Sequence, residues 1–413
     1  MLSVLRRGAQ GGAAAARSAV ARPAHVAVRP ARSLASALSR RALSARALDA
    51  SRLEITHTAM SKEHIPKEEL AFGTSFSDHM LECDWSEEEG WADPVIRPYG
   101  DLAIDPAASV LHYALECFEG MKAYMDDQGR PRLFRPEMNM ARMNHSLRRL
   151  HMANFDEAEF LKLIKEAVWL DQNWIPRGDG YSLYLRPTAI STHRFLGVGP
   201  SKSMKLYMIM SPVGPYYPEG FKSVSLLADS KNTRAWPGGT GDTKIGGNYA
   251  PTIGPQMDAA KKGYTQVLWL FGPHHEVTEV GTMNLFVHWK NDDGIEELIT
   301  APLDGTILPG VTRDSIIHLA REEGITVSER LFTMDDLAKA CEEGRVYEAF
   351  GSGTAAIVSP INNVAFEGVD YAIPVDPELD AGPLTHRMFK KLTDIQYGRV
   401  EGPPGWSVIL EEP

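Results

Sequence analysis

VSLLADSKNTRAWPGGTGDTKIGGNY, residues 224–249, is the stretch on which the fold assignment turns. It begins as an apolar run of strand character, SVSLLA at 223–228, and then loses all regular periodicity. The window that follows, WPGGTGDTKIGGNYAP at 236–251, holds five glycines and a single lysine, Lys244. A long turn-rich loop in a compact domain is uncommon unless it serves function. A nucleotide phosphate loop needs Gly directly before the lysine and Ser or Thr directly after it. Here Thr243 precedes Lys244 and Ile245 follows it, so the pattern fails and a phosphotransferase is disfavoured. The other chemical reading is a lysine held for Schiff-base formation. Its amine attacks a carbonyl only when uncharged, which needs partial desolvation or cationic neighbours. The glycines would let the backbone approach a flat ring. The same composition also describes a plain surface turn.

Three windows further along add candidates. EVTEVGTMNLFV (276–287) places Glu279 just ahead of an apolar strand. Such a carboxylate is either solvated or holds a ring nitrogen in its protonated, electron-withdrawing form. ILPGVTRDSII (307–317) puts a Pro-Gly turn and Thr312 at a helix start, where free N–H groups make either an anion site or a plain N-cap. FGSGTAA (350–356) is a second turn rich in backbone donors. Arg142, within NMARMNHSL, could supply a cation to such an anion.

Around these windows the pattern predicts a mixed α/β chain. Helices are expected at 138–152, 157–172, 313–323, 334–343 and 384–397. Asp156 is the expected N-cap of the second, with Glu159 as a box-like partner, and Gly324 is the expected stop of the third. Strands are expected at 181–191, 204–211, 223–228, 265–271, 282–289, 296–301, 325–332 and 345–351. SPVGPYYPEG (211–220), with three prolines and two glycines, breaks any element and reads as a domain connection.

The 413 residues suggest two domains of ordinary size, and 43% apolar with 23% charged residues is a globular composition. The longest apolar runs, such as VLWLF at 267–271, fall far short of a membrane span. The three cysteines, Cys83, Cys117 and Cys341, form no Cys-x-x-Cys pair, which argues against a disulfide framework or a zinc site. Residues 1–48 carry nine arginines, no lysine and no acid, with much Ala and Ser. That is the composition of a mitochondrial transit peptide, cut somewhere near 40–50, or of a basic arm. Without those nine charges the net charge goes from −11 to −20. An acidic body with no basic face argues against nucleic acid.

Taken together, KIGGNYAP, TEVGTMNLF, LPGVTRDS and FGSGTA resemble the signature segments of class IV pyridoxal-phosphate aminotransferases, and within them the eukaryotic branched-chain amino acid aminotransferases. LHYALECFEGMKAY (111–124), LFRPEMNMARM (133–143) and SLYLRPTAI (182–190) look like the small-domain motifs, so the likeness runs from about 71 to 398. The resemblance implies a lead-in at 49–70, a smaller α/β domain at 71–210, and a larger, strand-rich, barrel-like domain at 221–413 that binds pyridoxal 5'-phosphate. It implies that Lys244 bonds to the cofactor, Tyr249 hydrogen-bonds its ring oxygen and Glu279 pairs with its pyridine nitrogen. Arg142, Val311, Thr312 and Thr354 would hold its phosphate, with Arg234 nearby. Phe72, Tyr113, Phe118, Tyr184, Thr282 and Ala355 would line a substrate pocket, with Arg186 for a γ-carboxylate. Leu196 and Val198 match a loop that reaches into a partner subunit's site, so a homodimer is implied. The implied reaction moves the amino group of leucine, isoleucine or valine to 2-oxoglutarate in the mitochondrial matrix.

One departure stands out. Mammalian members carry a Cys-x-x-Cys pair where this chain has Ala356 and Ser359, so a thiol switch there is absent. Alternatives of the same fold are a D-amino acid aminotransferase and an aminodeoxychorismate lyase. FGTSFSDHML at 72–81 and the Tyr113–Phe118 segment favour branched-chain substrates. A catalytically silent cofactor-binding protein would have lost Lys244 or Glu279, and both are present.

Overall fold

A computed structural model describes residues 46–215 and 221–412. The expected transit peptide, apart from its last residues, and the segment 216–220 lie outside the described residues. Two sheets organise the rest. The first comprises β1 (Glu54–Ile55), β2 (His79–Ser86), β3 (Gly90–Trp91), β4 (Val95–Pro98), β5 (Glu116–Phe118), β6 (Met121–Met125), β7 (Pro131–Phe134), β8 (Ser182–Ser191), β9 (Ser203–Val213) and, from the far end of the chain, β19 (Ser407–Ile409). Its order is β1-β4-β2-β9-β8-β6-β7-β19, with β3 beside β2 and β5 beside β8.

The second sheet comprises β10 (Val224–Asp229), β11 (Gln266–Phe271), β12 (Glu276–Val280), β13 (Met283–Lys290), β14 (Glu296–Thr300), β15 (Val327–Glu329), β16 (Val346–Gly353), β17 (Ile357–Phe366) and β18 (Val369–Ala372). Its order is β12-β11-β10-β17-β16-β13-β14-β15, and β12 also pairs with β13. That extra pairing joins the two ends of the run β12-β11-β10-β17-β16-β13, so six strands form a closed ring. Closure leaves those strands without free edges.

The helices follow their buried faces. α1 (Val110–Tyr113) is a single turn ended by Ala114 at φ 50°. α2 (Pro136–Arg149) starts with proline at its first position and buries Met140, Met143 and Leu147, spaced three and four apart. α3 (Glu157–Leu170) buries Phe160, Leu163, Ile164, Ala167 and Val168, and Asp156 caps it as expected. Glu159 does not complete a box: its carboxylate accepts from the Ala50 N–H at 2.7 Å and pairs with Lys162. α4 (Ile253–Lys261) was not expected. α5 (Val311–Glu322), α6 (Met334–Glu342) and α7 (Pro383–Gln396) begin one or two residues before, or at, their expected starts. Gly324 adopts φ 77° just past α5, as a stop of this kind requires.

Leu81, Leu133, Leu147, Phe160 and Leu185 fill the core between the first sheet and α2 and α3. The second core joins barrel residues Leu226, Leu268, Leu285 and Ile361 to Met334 and Leu337 of α6. A third cluster ties the sheets together: Tyr124 and Phe134 pack with Phe286, Phe350, Ile316, Leu384 and Met388. Each such apolar side chain contributes about 1.5–3 kcal/mol of transfer free energy on burial.

Several boundaries differ from expectation. The expected connection at 211–220 starts too early, because β9 continues through Val213, whose partner is Ser182 of β8. Pro212 is tolerated in that strand opposite Leu183. The lead-in at 49–70 contains β1, which pairs in parallel with β4. The expected strand at 325–332 shrinks to Val327–Glu329.

Candidate active site

A cavity of about 610 Å³ opens between the two sheets. Its walls come from β5 and β8 on one side, from the lysine loop and β12 on another, and from the start of α5 and the turn after Gly353 on a third. Lys244 lies on its wall. The Ser146 hydroxyl accepts the Lys244 backbone N–H at 2.9 Å, and the Lys244 carbonyl accepts the Phe118 N–H at 3.0 Å. These bonds fix the backbone. The amine Nζ donates to Tyr249 Oη at 2.9 Å. It also stands 4.8 Å from the ring centre of Phe118, which packs 5.0 Å from the Tyr249 ring.

Glu279 is inside β12 rather than ahead of a strand, opposite Asn284 across the β12–β13 hairpin. It is 2% exposed, so the solvated reading is excluded. Its Oε2 pairs with Arg234 Nη2 at 2.8 Å, and Oε1 accepts from the Leu308 N–H at 2.8 Å and Asn284 Nδ2 at 3.1 Å. Burial raises its carboxyl above the ordinary glutamate range, while Arg234 and the Leu308 N–H pull it back. Arg234 is itself buried and its Nη1 has no partner. It is not among the residues lining the cavity and stands behind Glu279.

Arg142, Val311, Thr312 and Thr354 gather at another wall of the cavity. α5 begins there at Gly310 without a side-chain cap, which leaves first-turn amides for an anion. Arg142 is more occupied than the sequence suggested. Its Nε and Nη2 bind Glu119 at 2.7 and 2.8 Å, and Nη1 donates to the Pro309 carbonyl at 2.9 Å. A guanidinium has five N–H donors, so two remain. Glu119 is fully buried and also accepts from Asn139 at 2.8 Å. Burial pushes its carboxyl up, but Arg142 outweighs that and holds it below the usual range. Sequence reading missed Glu119, although it lies in the quoted LHYALECFEGMKAY segment, because an acid just past a short strand carries no local signal.

The substrate candidates divide. Phe72, Phe118, Tyr184, Arg186, Thr282 and Ala355 line the cavity. Tyr184 and Arg186 alternate on one face of β8, and Arg186 Nη2 donates to Tyr184 Oη at 3.2 Å. Tyr184 also packs edge-on against Phe72. Gly120 makes room for it, since a Cβ there would lie 2.0 Å from Tyr184 Oη. Tyr113 is a correction. It does not line this chain's cavity but is 42% exposed at the end of α1, where its hydroxyl donates to the Leu196 carbonyl. Leu196 and Val198 are outside the cavity too and more exposed still. Among the described residues no cluster of His, Cys, Asp and Glu could hold a metal. No helix there is long and apolar enough to cross a membrane.

A buried carboxylate, a lysine amine beside a phenol and an anion-ready helix start, all on one cavity, fit the needs of a group-transfer site built around a flat anionic heterocycle. Comparison with known proteins gives that site its class. Residues 116–364 match the family model for class IV amino-transferases, and the chain belongs to that family. Among the most similar relatives is a branched-chain-amino-acid aminotransferase from Dictyostelium discoideum, 56% identical over 85% of this chain and 92% of its own length. The mitochondrial form from Schizosaccharomyces pombe is 51% identical over 82% of this chain and 80% of its own length, and the cytosolic form from Mus musculus is 51% identical over 86% and 92%. The solved branched-chain amino acid aminotransferase of Escherichia coli superposes with a TM-score of 0.64 at 25% identity, over 80% of this chain and 99% of that one.

Proposed function

We propose that this protein is a pyridoxal-phosphate-dependent transaminase that moves the amino group of leucine, isoleucine or valine to 2-oxoglutarate. The observation that carries this reading is the placement of Lys244, Glu279 and the α5 start around one cavity. The donor set fits the cofactor. Lys244 and Tyr249 would meet its aldehyde and ring oxygen, Glu279 its ring nitrogen, and Arg142, Val311, Thr312 and Thr354 its phosphate. Arg234 acts on Glu279 from behind. When bound, the cofactor supplies an aldehyde for the amino group and an electron-withdrawing ring that spreads the charge left on the substrate's α-carbon.

The chain's own residues do the remainder. The Lys244 amine, in its uncharged form, takes the α-proton of the amino acid. Tyr249 holds that amine in place through their hydrogen bond. Glu279 presents a negative charge that keeps a proton on the nitrogen opposite it. Phe72, Phe118 and Tyr184 offer aromatic walls to a branched side chain and exclude water. Arg186 receives the γ-carboxylate of glutamate or 2-oxoglutarate. The same reading includes two domains, one on each sheet, and a homodimer in which Tyr113, Leu196 and Val198 serve the partner's site. It also places the protein in mitochondria, on the composition of residues 1–48. Curated relatives include mitochondrial and cytosolic forms.

The test is a side-by-side assay of leucine, isoleucine, valine and D-alanine with 2-oxoglutarate. Turnover of the three branched amino acids and none of D-alanine is expected. Turnover of D-alanine alone would overturn the substrate assignment.

A further inference from the structure

Glu116 has no place in the reading above, yet it lines the same cavity. It opens β5 and faces the lysine loop so closely that a Cβ on Gly246 would fall 1.6 Å from its Oε1. Glycine at 246 is what admits this acid. The Glu116 carboxyl is half-buried, burial raises it above the ordinary range, and Arg186 is the charge that draws it back. Arg186 is poorly served by its other neighbours. Its guanidinium carbon lies 4.7 Å from the Phe118 ring centre and 5.2 Å from that of Tyr184. Its Nη2 donates to Tyr184, and its buried Nε has no partner at all.

The site therefore sets a cation and an anion around the volume meant for a substrate side chain. A guanidinium alone would favour a second carboxylate and penalise a branched alkyl group, because an unpaired charge beside apolar substance loses solvation. The reaction needs both substrates to occupy this volume in turn. We propose that Glu116 is a specificity-determining residue, whose negative charge opposes Arg186 and so weakens dicarboxylic substrates relative to branched ones. This rests on the reading of Arg186 as the receiver of the γ-carboxylate.

The experiment compares KM for 2-oxoglutarate and for 4-methyl-2-oxopentanoate in the holoenzyme and in Glu116→Gln, which keeps the size and removes the charge. The ratio of the two KM values, dicarboxylic over branched, falls by about two- to fivefold in the variant, the scale of a partly screened ion pair. In an Arg186→Gln background the same substitution leaves the ratio unmoved. Glu116→Ala shifts the ratio in the same direction as Glu116→Gln. Glutarate, an unreactive dicarboxylate, binds more tightly to Glu116→Gln holoenzyme by calorimetry. A ratio that stays put, one that moves equally with and without Arg186, or unchanged glutarate binding overturns the inference. If wild-type enzyme fails on branched oxo acids, the functional reading falls and the inference with it. An active wild type with an unmoved ratio sinks the inference alone.

Discussion

Glu279 is buried, and its neighbours decide what it is. Arg234 and two N–H donors compensate the buried carboxylate from behind, and its remaining capacity faces the cavity. Removing either member of such a pair leaves an uncompensated buried charge, at about 3–5 kcal/mol. Glu279→Gln keeps the volume and the Leu308 contact but loses the charge. Its kcat with leucine should fall by far more than threefold, and a smaller change, under ~0.7 kcal/mol of barrier, removes Glu279 from the ring-nitrogen role. At this scale the sequence was legible where a motif held the residue, as for Lys244, Tyr249 and Glu279. It was not legible for Glu119, whose partner Arg142 meets it only through the fold, nor for Glu116, which the fold brings onto the same cavity as Arg186.

Among elements, the long helices and central strands were readable because their apolar residues recur with one period. α3 and β9 are examples. The short strands β6 and β7 escaped, since every residue of them is buried and they show no alternation. Asp156 caps α3 as expected, but the capping box was misplaced. Asp156 and Glu159 have the spacing of a box, but the reciprocal bonds form at Thr333 and Asp336, at 3.1 and 2.9 Å. That box starts α6, which carries Met334 and Leu337 into the barrel core. Thr333→Ala should therefore lower unfolding stability by about 1 kcal/mol, seen as a lower denaturant midpoint with an unchanged slope. An unchanged midpoint would show that the packing of α6, not its cap, sets its stability.

For the molecule as a whole, the sheets supply opposite halves of one cavity, and the third core cluster holds them together. The class, and with it a barrel-like larger domain, was legible from four motifs, but that β12 and β13 are the strands that close the ring was not, because strand pairing is not written in local periodicity. Tyr113, Leu196 and Val198 expose apolar surface together, away from the chain's own cavity, as a contribution to a second subunit would. Sedimentation should give about twice the chain mass, and Val198→Asp should shift it toward monomer with loss of turnover; a fully active monomer would contradict that use of the surface. The whole account depends on Lys244 carrying the cofactor. Protein loaded with pyridoxal phosphate, reduced with borohydride and digested should yield the phosphopyridoxyl mass on the peptide containing Lys244 and on no other. A label on a different lysine, or none at all, would contradict it.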